Sequence, residues 1–110
     1  VVNKLEKMTF SAVVPELLDW LVKVKRSHVI LTGIETHVCV YQTARDLLRL
    51  GYHCHLVQDA VDSRYELNYI NALELLRDQG AVITNTETVM FDLLHVAGTP
   101  EFKQLAPLLR

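Results

Sequence analysis

The stretch His28-Val-Ile-Leu-Thr-Gly-Ile-Glu-Thr-His-Val-Cys39 decides the fold. Its first half is a short apolar run that ends in Gly33, and such a run is typical of a strand buried on both faces of a parallel sheet. Its second half leads into a predicted helix that begins near His37 and ends at a glycine C-cap, Gly51. The inward face of this helix is expected to hold Val40, Ala44, Leu47 and Leu48. The stretch therefore predicts one strand–helix unit of an α/β fold.

The same alternation continues on both sides of that unit. Upstream, residues 1–14 show no clear period and predict a loop, and a helix is expected from Pro15 to about Lys25. Downstream, the pattern predicts strands over 53–57 and 81–84, a loop over 59–64, and helices over 65–79, over 86–96 and from Thr99 onward. The residues expected to share one side of the helix over 65–79 are Leu67, Ile70, Leu73 and Leu76. Such an order predicts a parallel sheet of three strands with about four to five helices on its faces.

Length, composition and charge exclude several classes of protein. The 110 residues, half of them apolar, suit one small domain, and no linker divides them. A net charge of -2, without a run of Lys or Arg, argues against a nucleic-acid partner. No apolar run approaches the ~18–20 residues that span a bilayer. Two cysteines are too few for a disulfide framework and favour a reducing compartment, so we expect a cytoplasmic protein.

Cys39 is the strongest candidate nucleophile, because binding sites in parallel sheets lie beyond the carboxyl ends of the strands. If Thr36 is the N-cap, Cys39 is the third helical residue, and free N–H groups and the positive end of the helix dipole favour its thiolate. The same N–H groups could bind an oxyanion. The alternative is that Cys39 is a small buried apolar side chain, a common state of a free cysteine.

The other candidate side chains have plainer interpretations. Cys54 lies in the middle of the second strand and is expected to be structural. His53 and His55 flank it on one strand face, but zinc needs further ligands that no spacing marks, so a solvated or capping role is expected for both. Asp59 and Asp62 follow the strand, where carboxylates cap loops and helix starts.

Three motifs together resemble the isochorismatase-like family. They are Lys7-Met-Thr-Phe-Ser11, then Gly33-Ile-Glu-Thr-His-Val-Cys-Val40, then Val57-Gln-Asp-Ala60 followed by Ser63-Arg64. They are most similar to the eukaryotic isochorismatase domain-containing proteins, from about Lys4 to the C-terminus. The resemblance implies a Rossmann-like parallel sheet with flanking helices, truncated at its N-terminus. Residues 1–110 would then be the C-terminal portion of a single isochorismatase-like domain.

The resemblance also implies the chemistry. Cys39 would be the nucleophile and Lys7 the lysine of a Cys-Lys-Asp triad that hydrolyses small amides. Isochorismatase itself lacks this cysteine, so Cys39 points to the amidohydrolase-like branch. A cis peptide bond is implied between Ile34 and Glu35, and the backbone N–H groups of Glu35 and Cys39 would form the oxyanion hole.

The pocket and its small molecules complete these expectations. Phe10 and His37 are candidate pocket-lining residues, and the alternative for His37, in the first turn of the helix, is an exposed side chain. The partner is expected to be a small-molecule substrate, with no cofactor. No metal is expected either, because the metal ligands of metal-dependent relatives lie in the upstream half of the family domain.

The aspartate of the triad lies upstream of the lysine motif in the family, and this sequence begins just before Lys7. We therefore expect an impaired hydrolase, since loss of one triad member costs several orders of magnitude in rate. The strand at Val29 to Leu31 would also lose its neighbour, which predicts a homo-oligomer or a sheet edge completed by a partner. The second hypothesis is a non-catalytic interaction module or short isoform with the same fold.

Overall fold

A computed structural model describes residues 3–109 of the chain. Its centre is a parallel sheet in the order β1 (His28–Ile34), β2 (His53–Asp62), β3 (Val82–Thr84). The five helices are α1 (Pro15–Val24), α2 (Tyr41–Arg49), α3 (Glu66–Asp78), α4 (Thr86–Leu94) and α5 (Pro100–Leu105). A π-helical turn, Thr36–Val40, joins β1 to α2, and a 3-10 turn, Ala106–Leu109, follows α5. The predicted α/β class with three strands and about four to five helices is confirmed.

Local sequence signals account for the helix boundaries. Gly51, directly after the C-cap of α2, has a positive φ of 93°, which glycine adopts without steric cost. The side chain of Asn85 caps α4 by accepting the Thr88 N–H at 2.8 Å, and Thr99 caps α5 in the same way through the Phe102 N–H. The predicted helices are confirmed to within one or two residues at most ends.

The core lies on one face of the sheet, between β2 and the helices α1, α2 and α3. Its largest fully buried side chains are Leu47 of α2, Leu56 of β2 and Leu76 of α3. On α3 the prediction is partly wrong, because Leu67 is 79% exposed and Ile70 is 42% exposed. The helix contacts the core through a narrower stripe than the spacing of its apolar residues suggested, and that stripe consists of Ala72, Leu73 and Leu76.

The expectation that β1 is buried on both faces is wrong. Its residues alternate between partly buried and exposed, and Val29 and Leu31 pack against the core while Ile30 and Ile34 are exposed. Within residues 3–109, β1 pairs only with β2 and lies at an edge of the sheet. An apolar strand is buried on its second face only where another layer covers that face fully, and the described elements leave Ile30 46% and Ile34 72% exposed.

The loop predicted over 59–64 begins later than expected, because β2 continues to Asp62. The pairing Leu31–Leu56 is followed by Gly33–Val61, so β2 advances five residues while β1 advances two. Because of this irregularity, Gln58 and Asp59 lie within the strand and not in a separate turn. It also brings Asp62 opposite Ile34, beside the segment that carries Cys39.

The described part of the chain contains no helix that is both long and apolar enough to cross a membrane.

Candidate active site

Cys39 lies in the π-helical turn beyond the carboxyl end of β1. The carbonyl of Glu35 accepts hydrogen bonds from the N–H groups of Val38 at 3.1 Å and Val40 at 3.2 Å, and so defines the turn around the cysteine. The expectation that Thr36 is the N-cap is wrong, since Glu35 occupies that position and Thr36 is the first residue of the turn. The Thr36 side chain is fully buried instead, with no hydrogen-bond partner for its hydroxyl among the described residues.

Lys7 reaches Cys39, which sequence spacing could not establish. The Lys7 Nζ lies 3.7 Å from the Cys39 Sγ and also donates to the Thr9 carbonyl at 2.9 Å. The segment that carries Lys7 is anchored on α2, where the Ala12 N–H donates to Thr43 Oγ1 at 2.8 Å. A cation close to a thiol favours the thiolate, which is the nucleophilic form.

A cavity of about 210 Å³ opens beside this pair. The residues that line it are Lys7, Ala12, Leu31, Thr32, Gly33, Ile34, Cys39, Val40 and Thr43. Phe10 and His37 are not among them. The Phe10 side chain is 60% exposed, and His37 is held elsewhere by hydrogen bonds.

His37 binds the connection between β2 and α3. Its Nδ1 lies 2.9 Å from Ser63 Oγ, and its Nε2 lies 3.5 Å from Asn68 Nδ2. The ring therefore bridges two segments about 26 residues apart in sequence.

The peptide bond between Ile34 and Glu35 is cis. The Glu35 carboxylate accepts the Arg64 backbone N–H at 3.1 Å and the Arg64 Nε–H at 3.0 Å, both through Oε1. The backbone hydrogen bond is the largest cause that lowers the pKa of Glu35 from its ordinary value, and the Arg64 guanidinium adds to it against the opposing effect of burial. No local sequence signal predicts this side-chain contact, because Arg64 lies 29 residues away from Glu35.

Cys54 is structural, as expected. It is 1% exposed, its Sγ lies 3.8 Å from the Ala44 carbonyl oxygen, and burial raises its pKa to about 11. Asp59 caps α4, since its Oδ1 accepts the Thr86 N–H at 2.8 Å and the Thr86 hydroxyl at 2.9 Å. The Thr86 backbone hydrogen bond is the main cause that lowers the pKa of Asp59.

The histidines of β2 have a partner that spacing alone did not reveal. His28 of β1 lies opposite, with its Nδ1 2.9 Å from His55 Nε2 and its ring stacked on that of His53. Over residues 3–109, no group of three or more His, Cys, Asp or Glu side chains is arranged to hold a metal ion. The expectation of a metal-free site stays a prediction.

Comparison with known proteins identifies the family of this architecture. Residues 2–88 match the family model described as the isochorismatase domain. The secreted isochorismatase effector Isc1 of Phytophthora sojae is 47% identical over 111 residues, which cover 99% of this chain and 53% of that protein.

Solved structures share the fold, and two of them illustrate the range of similarity. The MAR1 ribonuclease of Caenorhabditis elegans superposes with a TM-score of 0.86 at 39% identity, over 93% of this chain and 52% of that one. The pyrazinamidase/nicotinamidase of Streptococcus mutans superposes with a TM-score of 0.67 at 38% identity, over 70% of this chain and 44% of that one. The chain therefore spans about half the length of these relatives.

Proposed function

The chain belongs to the isochorismatase family, and on that premise we propose that it is a cysteine hydrolase domain acting on a small amide-type substrate. The observation that carries the proposal is the 3.7 Å approach of Lys7 Nζ to Cys39 Sγ beside a cavity. A cavity of about 210 Å³ suits a small molecule and lies slightly below the ~300–1,000 Å³ typical of ligand pockets. The similarity to a pyrazinamidase/nicotinamidase supports an amide as the substrate class.

The proposed reaction proceeds through an acyl-enzyme. The Cys39 thiolate attacks the amide carbonyl carbon, a C–S bond forms, and the carbonyl π electrons move onto oxygen. The backbone N–H groups of Glu35 and Cys39 are the proposed donors to that oxyanion. When the electron pair returns, the C–N bond breaks, and the nitrogen takes the proton that the thiol gave up and leaves as ammonia or as an amine. Water then cleaves the thioester, which releases the carboxylic acid and regenerates the thiol.

One group must accept the thiol proton, pass it to the leaving nitrogen and later take a proton from water, and the resemblance assigns this proton transfer to an aspartate. In the described part of the chain, no carboxylate is hydrogen-bonded to Lys7 or Cys39. We therefore propose that residues 1–110 alone hydrolyse amides slowly, because the cysteine and lysine are present without a base that contacts them. The nucleophile is the part of the mechanism that the chain can be tested for directly.

Alkylation of the folded chain tests this nucleophile. Iodoacetamide is applied over a range of pH, and modification of Cys39 and Cys54 is measured separately by peptide mass spectrometry. We expect Cys39 to react much faster near neutral pH and Lys7→Met to slow it, with Lys4→Met as the matched control. Equal, slow reaction of both cysteines in the folded chain would contradict a nucleophilic Cys39.

An amide screen follows, with ammonia release as the readout and nicotinamide and pyrazinamide as the first compounds. A short RNA is tested separately, with strand cleavage as the readout, because a solved relative is named a ribonuclease. Cys39→Ala is expected to abolish hydrolysis, whereas Cys54→Ala should retain it in proportion to the folded fraction. Hydrolysis that survives in Cys39→Ala would assign the activity to other residues.

A second candidate function rests on the edge of the sheet. Ile30 and Ile34 of β1 are 46% and 72% exposed, and no described strand pairs with the outer side of β1. An exposed apolar edge favours pairing with another strand. As an interaction module, the chain would pair β1 with β1 of a second copy.

Light scattering coupled to size exclusion separates the two candidates. A dimer that Ile34→Lys converts to monomer, while Cys39→Ala leaves it intact, supports the interaction module. A monomer at every concentration contradicts it. If a different protein co-purifies in stoichiometric amount, the partner of β1 is that protein and not a second copy of this chain.

We also propose the cytoplasm as the compartment. Both cysteines of this chain are free thiols, which favours a reducing environment. One relative is named as a secreted effector, so fractionation of cells that express the chain decides between the two locations.

A further inference from the structure

Two segments far apart in sequence are joined next to Cys39. One is the start of the cysteine turn, which carries Glu35 and His37. The other is the connection from β2 to α3, which carries Ser63 and Arg64. The Glu35 carboxylate binds the Arg64 backbone N–H and Nε–H, and the His37 ring binds the Ser63 hydroxyl. We call this set of contacts the latch.

We propose that the latch residues Glu35, His37, Ser63 and Arg64 are positioning residues for Cys39. The inference rests on the proposed function, because positioning matters only if Cys39 is the nucleophile. The side chains of these four residues do not line the cavity beside Cys39, so the latch contacts act on the reaction through the backbone of the turn.

The connection to Cys39 runs through Glu35. Its side chain is held by Arg64, while its carbonyl accepts the N–H groups of Val38 and Val40, the residues on either side of Cys39. Fixing Glu35 therefore fixes the turn in which the sulfur lies 3.7 Å from the Lys7 ammonium. His37, within the same turn, adds a second attachment only two residues later.

The contact between Glu35 and Arg64 is of a kind that orients the cysteine turn more than it stabilises the whole fold. The Arg64 side chain is 76% exposed, and an exposed ion pair adds little to the free energy of unfolding. A carboxylate oxygen that accepts both a backbone N–H and a guanidinium N–H is nevertheless restricted in direction, because two charge-assisted bonds converge on it. Loss of the latch should therefore change the geometry at Cys39 more than the stability of the whole fold.

The decisive variant is Glu35→Ala, with Glu74→Ala, an exposed glutamate of α3, as the matched control. The readout is the pH profile of Cys39 alkylation by iodoacetamide. Its plateau at high pH reports the exposure of the sulfur, and its midpoint reports how strongly the surroundings favour the thiolate. A merely structural role would change the plateau or the melting temperature and leave the midpoint in place.

We expect the midpoint in Glu35→Ala to move to higher pH, so that the rate near neutral pH falls about two- to fivefold after normalisation to the plateau. Glu74→Ala should match the unmodified chain. A profile for Glu35→Ala with the same midpoint as the unmodified chain would overturn the inference while leaving the proposed nucleophile intact.

The alkylation rates of the unmodified chain show separately whether the proposed function fails. If Cys39 of the unmodified chain reacts no faster than Cys54, both the proposed nucleophile and the proposed role of the latch are rejected. If Glu35→Ala does not fold by circular dichroism, Glu35→Gln replaces it, since the amide oxygen still accepts the Arg64 backbone N–H but loses the ion pair. A smaller shift in the same direction then supports the latch, and an unchanged midpoint rejects it.

Discussion

Cys54 and Cys39 carry the same thiol in two regions that are built differently. Cys54 lies in the interior of the sheet, among the apolar side chains of α2, β2 and α3, and burial alone raises its pKa. Cys39 lies at the carboxyl edge of the sheet, where a lysine contacts it and hydrogen bonds hold its turn. Burial of apolar side chains away from water holds the interior together. Polar contacts between distant segments hold the carboxyl edge together. The difference teaches that the buried side chains that stabilise the fold lie in one region and the proposed nucleophile lies in another.

The largest expected effect contrasts two leucines of the same helix. Leu76→Ala removes a fully buried side chain of α3 and should lower the free energy of unfolding by about 2–5 kcal/mol. Leu67→Ala, on the exposed side of α3, should change it by less than about 0.5 kcal/mol. Urea unfolding followed by circular dichroism measures both. Similar losses in the two variants would mean that Leu67 is covered in solution, by a second copy or by another chain.

The two cysteines give the next effect. Cys54→Ser places a hydroxyl in an apolar interior and should cost about 1–3 kcal/mol of unfolding free energy. Cys39→Ser should leave the unfolding free energy within about 0.5 kcal/mol, because the site is partly exposed. Urea midpoints of the two variants make the comparison. A more destabilising change at Cys39 would show that the carboxyl edge contributes to the stability of the whole fold.

The smallest expected effect is the response to acid. The pKa values of Glu35 and Asp59 are lowered in the folded chain from ordinary values of 4.5 and 3.8. The unfolded chain therefore binds more protons, and the stability from both carboxylates is present above those ordinary values and lost as the pH falls through the lowered folded values.

Melting temperatures measured between about pH 6 and pH 3 should fall less steeply in a Glu35→Gln, Asp59→Asn double variant than in the unmodified chain. A Glu74→Gln, Asp78→Asn variant on the exposed side of α3 is the control. If the control flattens the pH dependence as much as the double variant does, the two carboxylates at the carboxyl edge are not the source of the acid response.

The difference between the interior and the carboxyl edge also explains which features the sequence could predict. Helices and strands were predicted well because the periods of α2 and α3 and the glycine after α2 are local signals. The contacts of the carboxyl edge join residues such as Lys7 and Cys39, or Glu35 and Arg64, which are about 30 positions apart. No period encodes such a separation.

The family resemblance supplied Lys7, Cys39 and the bond between Ile34 and Glu35. It did not supply the Glu35 side-chain contact or the direction of His37, because those depend on where the β2–α3 connection lies. The exposure of β1 could not be predicted for a related reason. An apolar run shows that a strand can be buried, but it does not show which neighbouring element is present to bury it.

The irregular pairing of β2 has a consequence for insertions and deletions. Between the pairs Leu31–Leu56 and Gly33–Val61, β2 has three residues more than β1. Where the irregular segment does not shorten to compensate, removing one of them draws Ser63 and Arg64 back by about 3.3 Å, out of reach of His37 and Glu35. The length of this short segment, more than the identity of its side chains, therefore determines whether the β2–α3 connection reaches the cysteine turn.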